Sequence, residues 1–161
     1  MIEIYTDGGC RGNPGIGAWA AFIVINAETK YLIGTGEAET TNNQMELKAA
    51  IEGLQFIQRL KIDLSGSIVV KIDSKYVIDC VTTWIANWKK NNWHTANKKP
   101  VKNKELIKTL HELVEQNKIK LEWVKGHSGV YGNEICDQAV NEIMDAITSG
   151  NHSYKIKKRV D

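Results

Sequence analysis

The first forty residues hold three strand-like runs joined by short loops, so the chain opens as an antiparallel meander. Met1 to Thr6 alternates around Ile2 and Ile4. Gly17 to Asn26 sets Ala18, Ala20, Phe22 and Val24 against Trp19, Ala21, Ile23 and Ile25, apolar on both faces as a central strand is. Asn26-Ala27-Glu28 turns the chain, and Lys30 to Ala38 returns as the third strand. After that the pattern changes period. Thr41-Asn42-Asn43 offers capping side chains ahead of Gln44 to Leu60, where Leu47, Ala50, Ile51, Leu54 and Ile57 recur at helical spacing. Ser67 to Ile72 is a short β-branched strand, and Ser74 caps a helix running through Trp84 and Ile85. Asn103 is expected to cap the next helix, Lys118 to Val124 is the fifth strand, and Ile135, Ala139, Ile143 and Ile147 stripe a last helix.

The order is βββαβαααβα, with one helix pair readable as a single bent element. Helical crossovers following the third and fourth strands imply parallel neighbours. The expected fold is therefore α/β: a five-stranded mixed sheet, three antiparallel strands then two parallel, with helices on both faces. At 161 residues, 42% hydrophobic and 25% charged, the chain has the length and composition of one globular domain. The domain is expected over residues 1–150, with 151–161 as a flexible basic tail. No apolar stretch approaches the roughly 18 residues that span a bilayer. A strand pattern beginning at Met1 leaves no room for a leader peptide. Cys10, Cys80 and Cys136 are too few and too scattered for a disulfide framework or a zinc site, which suits a reducing cytoplasm.

The net charge of +2 conceals strong segregation. Trp84 to Lys104 carries six lysines and no acid, and Tyr154 to Asp161 adds a local +3, which leaves −7 on the rest of the chain. A polyanion would meet a basic arm, while an acidic centre elsewhere would need cations before phosphate could approach. Asp7, Glu46, Asp73 and Asp137 form that candidate centre, each at the edge of an apolar run. Taken singly they have plainer uses: Asp73 with Ser74 starts a helix, and Glu46 favours a helix dipole. Taken together, acids gathered without basic partners repel and hold their protons unless a cation neutralises them. Magnesium or manganese fits, being hard and oxygen-seeking. Two such ions suit phosphoryl chemistry, although spacing does not say how the acids share them.

Around this centre lie further candidates. Gly8 to Gly15 holds four glycines and one proline in eight residues; it lacks the Gly-Lys-Ser/Thr ending of a phosphate-cradling loop. It reads either as a plain hairpin turn or as a close approach to a sugar-phosphate strand, with Asn13 able to bond a hydroxyl. His127 sits between glycines in Lys125-Gly126-His127-Ser128-Gly129, placed to carry a proton or help product leave, though a solvated surface His is the plainer alternative. Glu134 either joins that loop to the acids or caps the last helix. In the arm, Trp84 and Trp88 are four apart on a helix, a spacing that would anchor the arm to the core, and Trp84 is expected to do so. Trp93 with Lys89, Lys90, Lys98 and Lys99 suits a nucleic-acid backbone held without base reading.

These segments resemble the ribonuclease H family, of the bacterial ribonuclease HI type. The likeness rests on Thr6-Asp7-Gly8-Gly9-Cys10-Arg11-Gly12-Asn13-Pro14-Gly15, Thr41-Asn42-Asn43-Gln44-Met45-Glu46-Leu47 and Ile72-Asp73-Ser74-Lys75-Tyr76-Val77. It continues in Lys125-Gly126-His127-Ser128-Gly129 through Asn133-Glu134-Ile135-Cys136-Asp137, and the arm from Trp84 to Asn103 is similar to the family's substrate-handling protrusion. Motifs in this order cover about residues 1 to 148.

The resemblance implies a magnesium-dependent endonuclease, with manganese as a substitute ion, that cuts the RNA strand of RNA–DNA hybrids and leaves 5′-phosphate and 3′-hydroxyl ends. It implies metal binding by Asp7, Glu46, Asp73 and Asp137, proton transfer or product release by His127, and assistance near the metal by Glu134. Asn13, Asn42 and Asn43 would meet minor-groove and 2′-hydroxyl groups, and Thr41 a DNA phosphate. Lys75 stands where many relatives carry Gln, which turns a groove contact into a phosphate contact. Trp84, Lys89, Lys90, Trp93, Lys98 and Lys99 would hold the hybrid. No motif suggests sequence specificity, a membrane or an obligate protein partner, and a monomer is expected. The rivals are a module that grips hybrids without cutting, which has no use for an acidic cluster, and a DNA-cutting relative of the integrase or resolvase kind.

Overall fold

A computed structural model describes residues 1–126 and 129–161. Strands β1 (Ile2–Arg11), β2 (Gly15–Val24) and β3 (Lys30–Thr40) form the antiparallel meander. The turn between β1 and β2 is shorter than the glycine-rich segment: β1 continues through Asp7 and the glycines to Arg11, and Asp7 pairs with Ala20 inside the ladder. Asp7 is thus an interior strand residue, not a strand end. A polar residue among glycines looks like a break in the pattern, but pairing with β2 is enough to keep the strand extended.

Strand β4 (Ile68–Ile72) lies parallel to β1, from Ile2 opposite Ile68 to Tyr5 opposite Lys71. Strand β5 (Lys120–Trp123) lies parallel to β4 and ends with Trp123 opposite Ile72. The sheet has one strand more than the sequence pattern suggested. Lys155–Val160 forms β6, antiparallel to β3, giving the order β5-β4-β1-β2-β3-β6. Residues 151–161 are therefore not a loose tail over most of their length. Four cations among its six residues hid this strand, since Ile156 is its one buried residue and Val160 only partly joins the core.

Helices cover both faces of the sheet. Helix α1 (Asn42–Arg59) begins at Thr41, whose hydroxyl accepts from the Gln44 amide at 3.3 Å. It packs Met45, Leu47, Ala50, Leu54 and Ile57 against Ile4, Ala21 and Ile23. Helix α5 (Tyr131–Thr148) covers the other face with Ala139, Val140, Ile143 and Ile147 against Ala18, Ala20 and Phe22. The two alternating apolar sets of β2 thus serve two cores, as a central strand requires.

After β4, helix α2 (Lys75–Asp79) is capped by Ser74, whose hydroxyl accepts from the Val77 amide at 3.3 Å. It runs through one π-helical turn (Cys80–Trp84) into α3 (Ile85–Lys90), which is the single bent element expected. An inserted residue of this kind re-aims the helix beyond it, here α3 and the arm. Helix α4 (Lys104–Asn117) closes the same face. Asn103 stands at its N-cap with φ of 62°, and its side chain does not cap the helix. The amide instead donates to the Tyr76 hydroxyl at 3.1 Å, fastening the end of the basic arm to α2.

Candidate active site

Two close approaches through glycine bring distant parts of the chain to Asp7. A Cβ on Gly8 would stand 2.5 Å from the Glu46 amide nitrogen, so α1 can rest its first turns directly on β1 only because Gly8 has no side chain. On the other face, a Cβ on Gly132 would meet the Tyr5 ring at 2.3 Å, and this contact seats the start of α5 beside β1. The parallel ladder between β1 and β4 stops at Tyr5 and Lys71. Asp7 and Asp73 lie just beyond the point where the two strands part.

There the acids converge. Oxygens of Asp7, Glu46 and Asp73 all lie within 4.8 Å of one another. Asp7 is 8% exposed and Glu46 5%, whereas Asp73 is half-buried. Among the described residues neither Asp7 nor Glu46 makes an ion pair, and Glu46 Oε2 is buried without a hydrogen-bond partner. Loss of water raises the Asp7 carboxyl to about 8, helped by the charges of Asp73 and Asp137 and opposed by the Gly8 amide. Burial likewise drives Glu46 well above the carboxylate range, with Asp73 and Asp7 adding to it. Asp137, half-buried in the second turn of α5, is near enough to act on Asp7 through its charge but stands outside the tight group of three.

A buried carboxylate with an idle oxygen, beside two more acids, is an arrangement that stores repulsion until a positive charge enters. The donors are all oxygen and all anionic, which suits a hard divalent cation and not a soft one. The residues present fit such an ion.

The remaining candidates surround this cluster. Asn13 is exposed on the β1–β2 turn, and its Oδ1 accepts from the Asn42 amide at 3.2 Å, tying that turn to the start of α1. Asn42 is exposed and Asn43 half-buried, one turn ahead of Glu46. The Thr41 hydroxyl is engaged in capping, so any phosphate contact there shares it with the Gln44 amide. Glu134 is exposed in the first turn of α5, which starts at Tyr131 under Val130; Gly132 and Asn133 belong to the helix and not to the loop before it. His127 lies outside the described residues.

The arm departs from expectation at its aromatics. Trp84 is 39% exposed and lies edge-on to Tyr76 and tilted against Trp88, with ring centroids at 6.2 and 5.9 Å, so it is not the core anchor. Trp88 and Trp93 are the rings packed against the core. The Trp93 ring also lies within 6 Å of the Lys104 and Lys108 ammonium groups, at 5.8 and 5.9 Å. Residues beyond it fold back on themselves: Val101 donates to the Trp93 carbonyl at 3.0 Å and Thr95 to the Lys99 carbonyl at 2.8 Å. Lys89, Lys90, Lys98 and Lys99 are left exposed. Trp123 escaped the sequence reading. Its indole N–H donates to the Asp73 carbonyl at 3.1 Å and its ring lies 4.6 Å from the Lys75 ammonium. An aromatic ending the strand beside β4 was the one signal available.

A sequence profile of the family described as RNase H matches residues 1–145. The chain belongs to the ribonuclease H family. Among its relatives, ribonuclease H of Hydrogenovibrio crunogenus is 48% identical over 147 residues, covering 91% of this chain and 97% of that one. Two crystal structures share the fold at 24% identity. LC9-RNase H1, a type 1 RNase H with the type 2 active-site motif, superposes with a TM-score of 0.76 over 99% of this chain and 76% of its own. LC11-RNase H1, solved in complex with an RNA/DNA hybrid, gives 0.67 over 92% and 99%. Ribonucleases H depend on divalent metal, and among the described residues the Asp7–Glu46–Asp73 cluster is where such an ion fits.

Proposed function

We propose that this chain is a ribonuclease H that hydrolyses the RNA strand of RNA–DNA hybrids endonucleolytically, with little sequence preference, leaving 5′-phosphate and 3′-hydroxyl ends. The observation that carries the reading is the convergence of Asp7, Glu46 and Asp73 oxygens within 4.8 Å with Asp7 and Glu46 unpaired by any cation among the described residues. A pure binding module gains nothing from such a cluster, because it repels phosphate.

Asp7, Glu46 and Asp73 would hold the metal, with Asp137 completing the set on the side of α5. Magnesium is the ion proposed, with manganese as substitute; two such ions, when bound, activate water and stabilise the leaving oxygen of an in-line displacement. The protein's own part is to bind and orient. Asn13, Asn42 and Asn43 line the approach from α1 and supply amides that distinguish a 2′-hydroxyl from its absence. Thr41 and Lys75 take phosphates on either side of the cluster. Trp84, Trp93, Lys89, Lys90, Lys98 and Lys99 hold the other strand along the arm. His127, between β5 and α5 in the sequence, is proposed to move a proton or release product, and Glu134 to assist near the metal. The catalytic unit is proposed to be a single domain acting as a monomer in the cytoplasm. No helix among the described residues is long and apolar enough to cross a membrane.

Strand-labelled cleavage tests this directly. An RNA–DNA hybrid, matched duplex DNA and duplex RNA are incubated with magnesium or with chelator. Magnesium-dependent loss of the RNA strand, in the hybrid alone, is expected, and Asp7→Asn abolishes it while hybrid binding persists. Binding without cleavage would leave a binding module, and scission of duplex DNA would move the chain toward the integrase-like enzymes of this fold.

A further inference from the structure

The ladder between β4 and β5 ends at Ile72. The last parallel pair is Ile72 with Trp123, and the last hydrogen bond runs from the Val124 amide to the Ile72 carbonyl at 2.9 Å. Asp73 comes immediately after, and Ser74 starts α2. The indole of Trp123 spans this gap. Its N–H donates to the Asp73 carbonyl at 3.1 Å, and its ring face receives the Lys75 ammonium 4.6 Å from the centroid. Gly126 also approaches the same aspartate, since a Cβ there would stand 3.0 Å from Asp73 Oδ2.

Trp123 is 45% exposed, an unfavourable place for the largest side chain unless it has work at the surface. A Lys placed over an indole is held weakly, but firmly enough to bias a long side chain that otherwise samples many rotamers. We propose that Trp123 is a positioning residue for this site: its N–H fixes the main chain of Asp73 and its ring holds the Lys75 ammonium. One side chain then orients both a metal-binding carboxylate and the first phosphate-facing cation beyond it. This rests on the ribonuclease H reading for the roles of Asp73 and Lys75.

The two contacts separate by substitution. Trp123→Phe keeps an aromatic face and removes the N–H; Trp123→Leu removes both; Lys75→Gln removes the cation alone. Two readouts are taken on each: Mn2+ binding by calorimetry, and hybrid binding in chelator as a function of KCl. Partners that orient a metal ligand are worth about tenfold or more in metal affinity. Trp123→Phe is therefore expected to weaken Mn2+ binding about tenfold and leave the salt slope unchanged. Trp123→Leu is expected to weaken Mn2+ binding as much, and also to lower the salt slope by roughly 0.7–0.9, as Lys75→Gln does alone. Lys75→Gln should not weaken Mn2+ binding. Mn2+ affinity of Trp123→Phe equal to the parent, or a Trp123→Leu salt slope equal to the parent, overturns the proposal. Hybrid cleavage by the parent protein, run on the same preparation, keeps the two readings apart: an active parent with an unaltered Trp123→Phe affinity overturns only the role of Trp123.

Discussion

Asp7 is held where water is scarce and where Asp73 and Asp137 add their charge, so its carboxyl titrates at about 8 in place of 3.8. The metal-free folded chain keeps a proton there that the unfolded chain releases. Between those values the folded state binds more protons than the unfolded one. Stability therefore falls as pH rises, by up to about 1.4 kcal/mol per pH unit for this one group. The contribution is fully present below the unfolded value and gone above the folded one. Asp7→Asn cannot ionise and should escape the loss. In chelator the variant should match its parent near pH 4 and exceed it near pH 8, by on the order of 2–5 kcal/mol in urea unfolding. A gap that does not change with pH would place the repulsion elsewhere. Magnesium at pH 8 should raise the Tm of the parent and act much less on the variant, because binding to the folded state alone stabilises it. At this scale the convergence of Asp7, Glu46 and Asp73 was legible, since residue type and neighbours sufficed to single them out. Trp123 was not: what it touches is a main-chain carbonyl just past the end of the neighbouring strand, and a carbonyl leaves no mark in a sequence.

Between elements, the site depends on how closely α1 lies on β1. Gly8 permits that contact, and any side chain there would meet the backbone of Met45 and Glu46 at 2.5 Å. Backbone yields less readily than a flexible side chain, so Gly8→Ala should lose about 1–3 kcal/mol and displace Glu46 from Asp7. Mn2+ calorimetry and urea unfolding on this variant should both change; retained metal affinity would show that Glu46 is not held by that contact. The sequence pattern made the helices clear because apolar spacing of 3.6 is hard to mistake. It misjudged the end of β1, where glycines and an aspartate imitate a loop although β2 keeps them paired to Arg11. It also made Asn103 a cap, when its amide instead reaches Tyr76 across the arm's base. With its base so fastened, the arm presents Lys89, Lys90, Lys98 and Lys99 outward. Changing all four to Ala should raise KM for the hybrid with little change in kcat, and lower the salt slope by up to about 3. An unaltered slope would return the arm to the status of solvated surface.

For the whole molecule, the telling element is β6, which the pattern of charge concealed. Lys155, Lys157, Lys158 and Arg159 are exposed along it while Ile156 enters the core formed by α5 and β2. Its cations serve the outer edge of the sheet, since charged side chains discourage pairing with another chain. Its backbone serves β3, which it pairs from Lys30 to Thr35, and the Thr35 hydroxyl donates to the Tyr154 carbonyl at 2.9 Å. Removing residues 151–161 would thus expose an apolar strand edge far along the sheet from the acids, which lie around β1 and β4. The truncated chain should lose at least about 2 kcal/mol, the burial of one Ile, and melt about 4 °C or more lower. It should also aggregate more readily, because β3 becomes an unprotected edge. Its kcat on the hybrid, measured below the melting range, should stay close to that of the full chain. A truncation that weakened hybrid binding and flattened the salt slope while leaving Tm unchanged would assign these cations to the substrate instead of to the sheet.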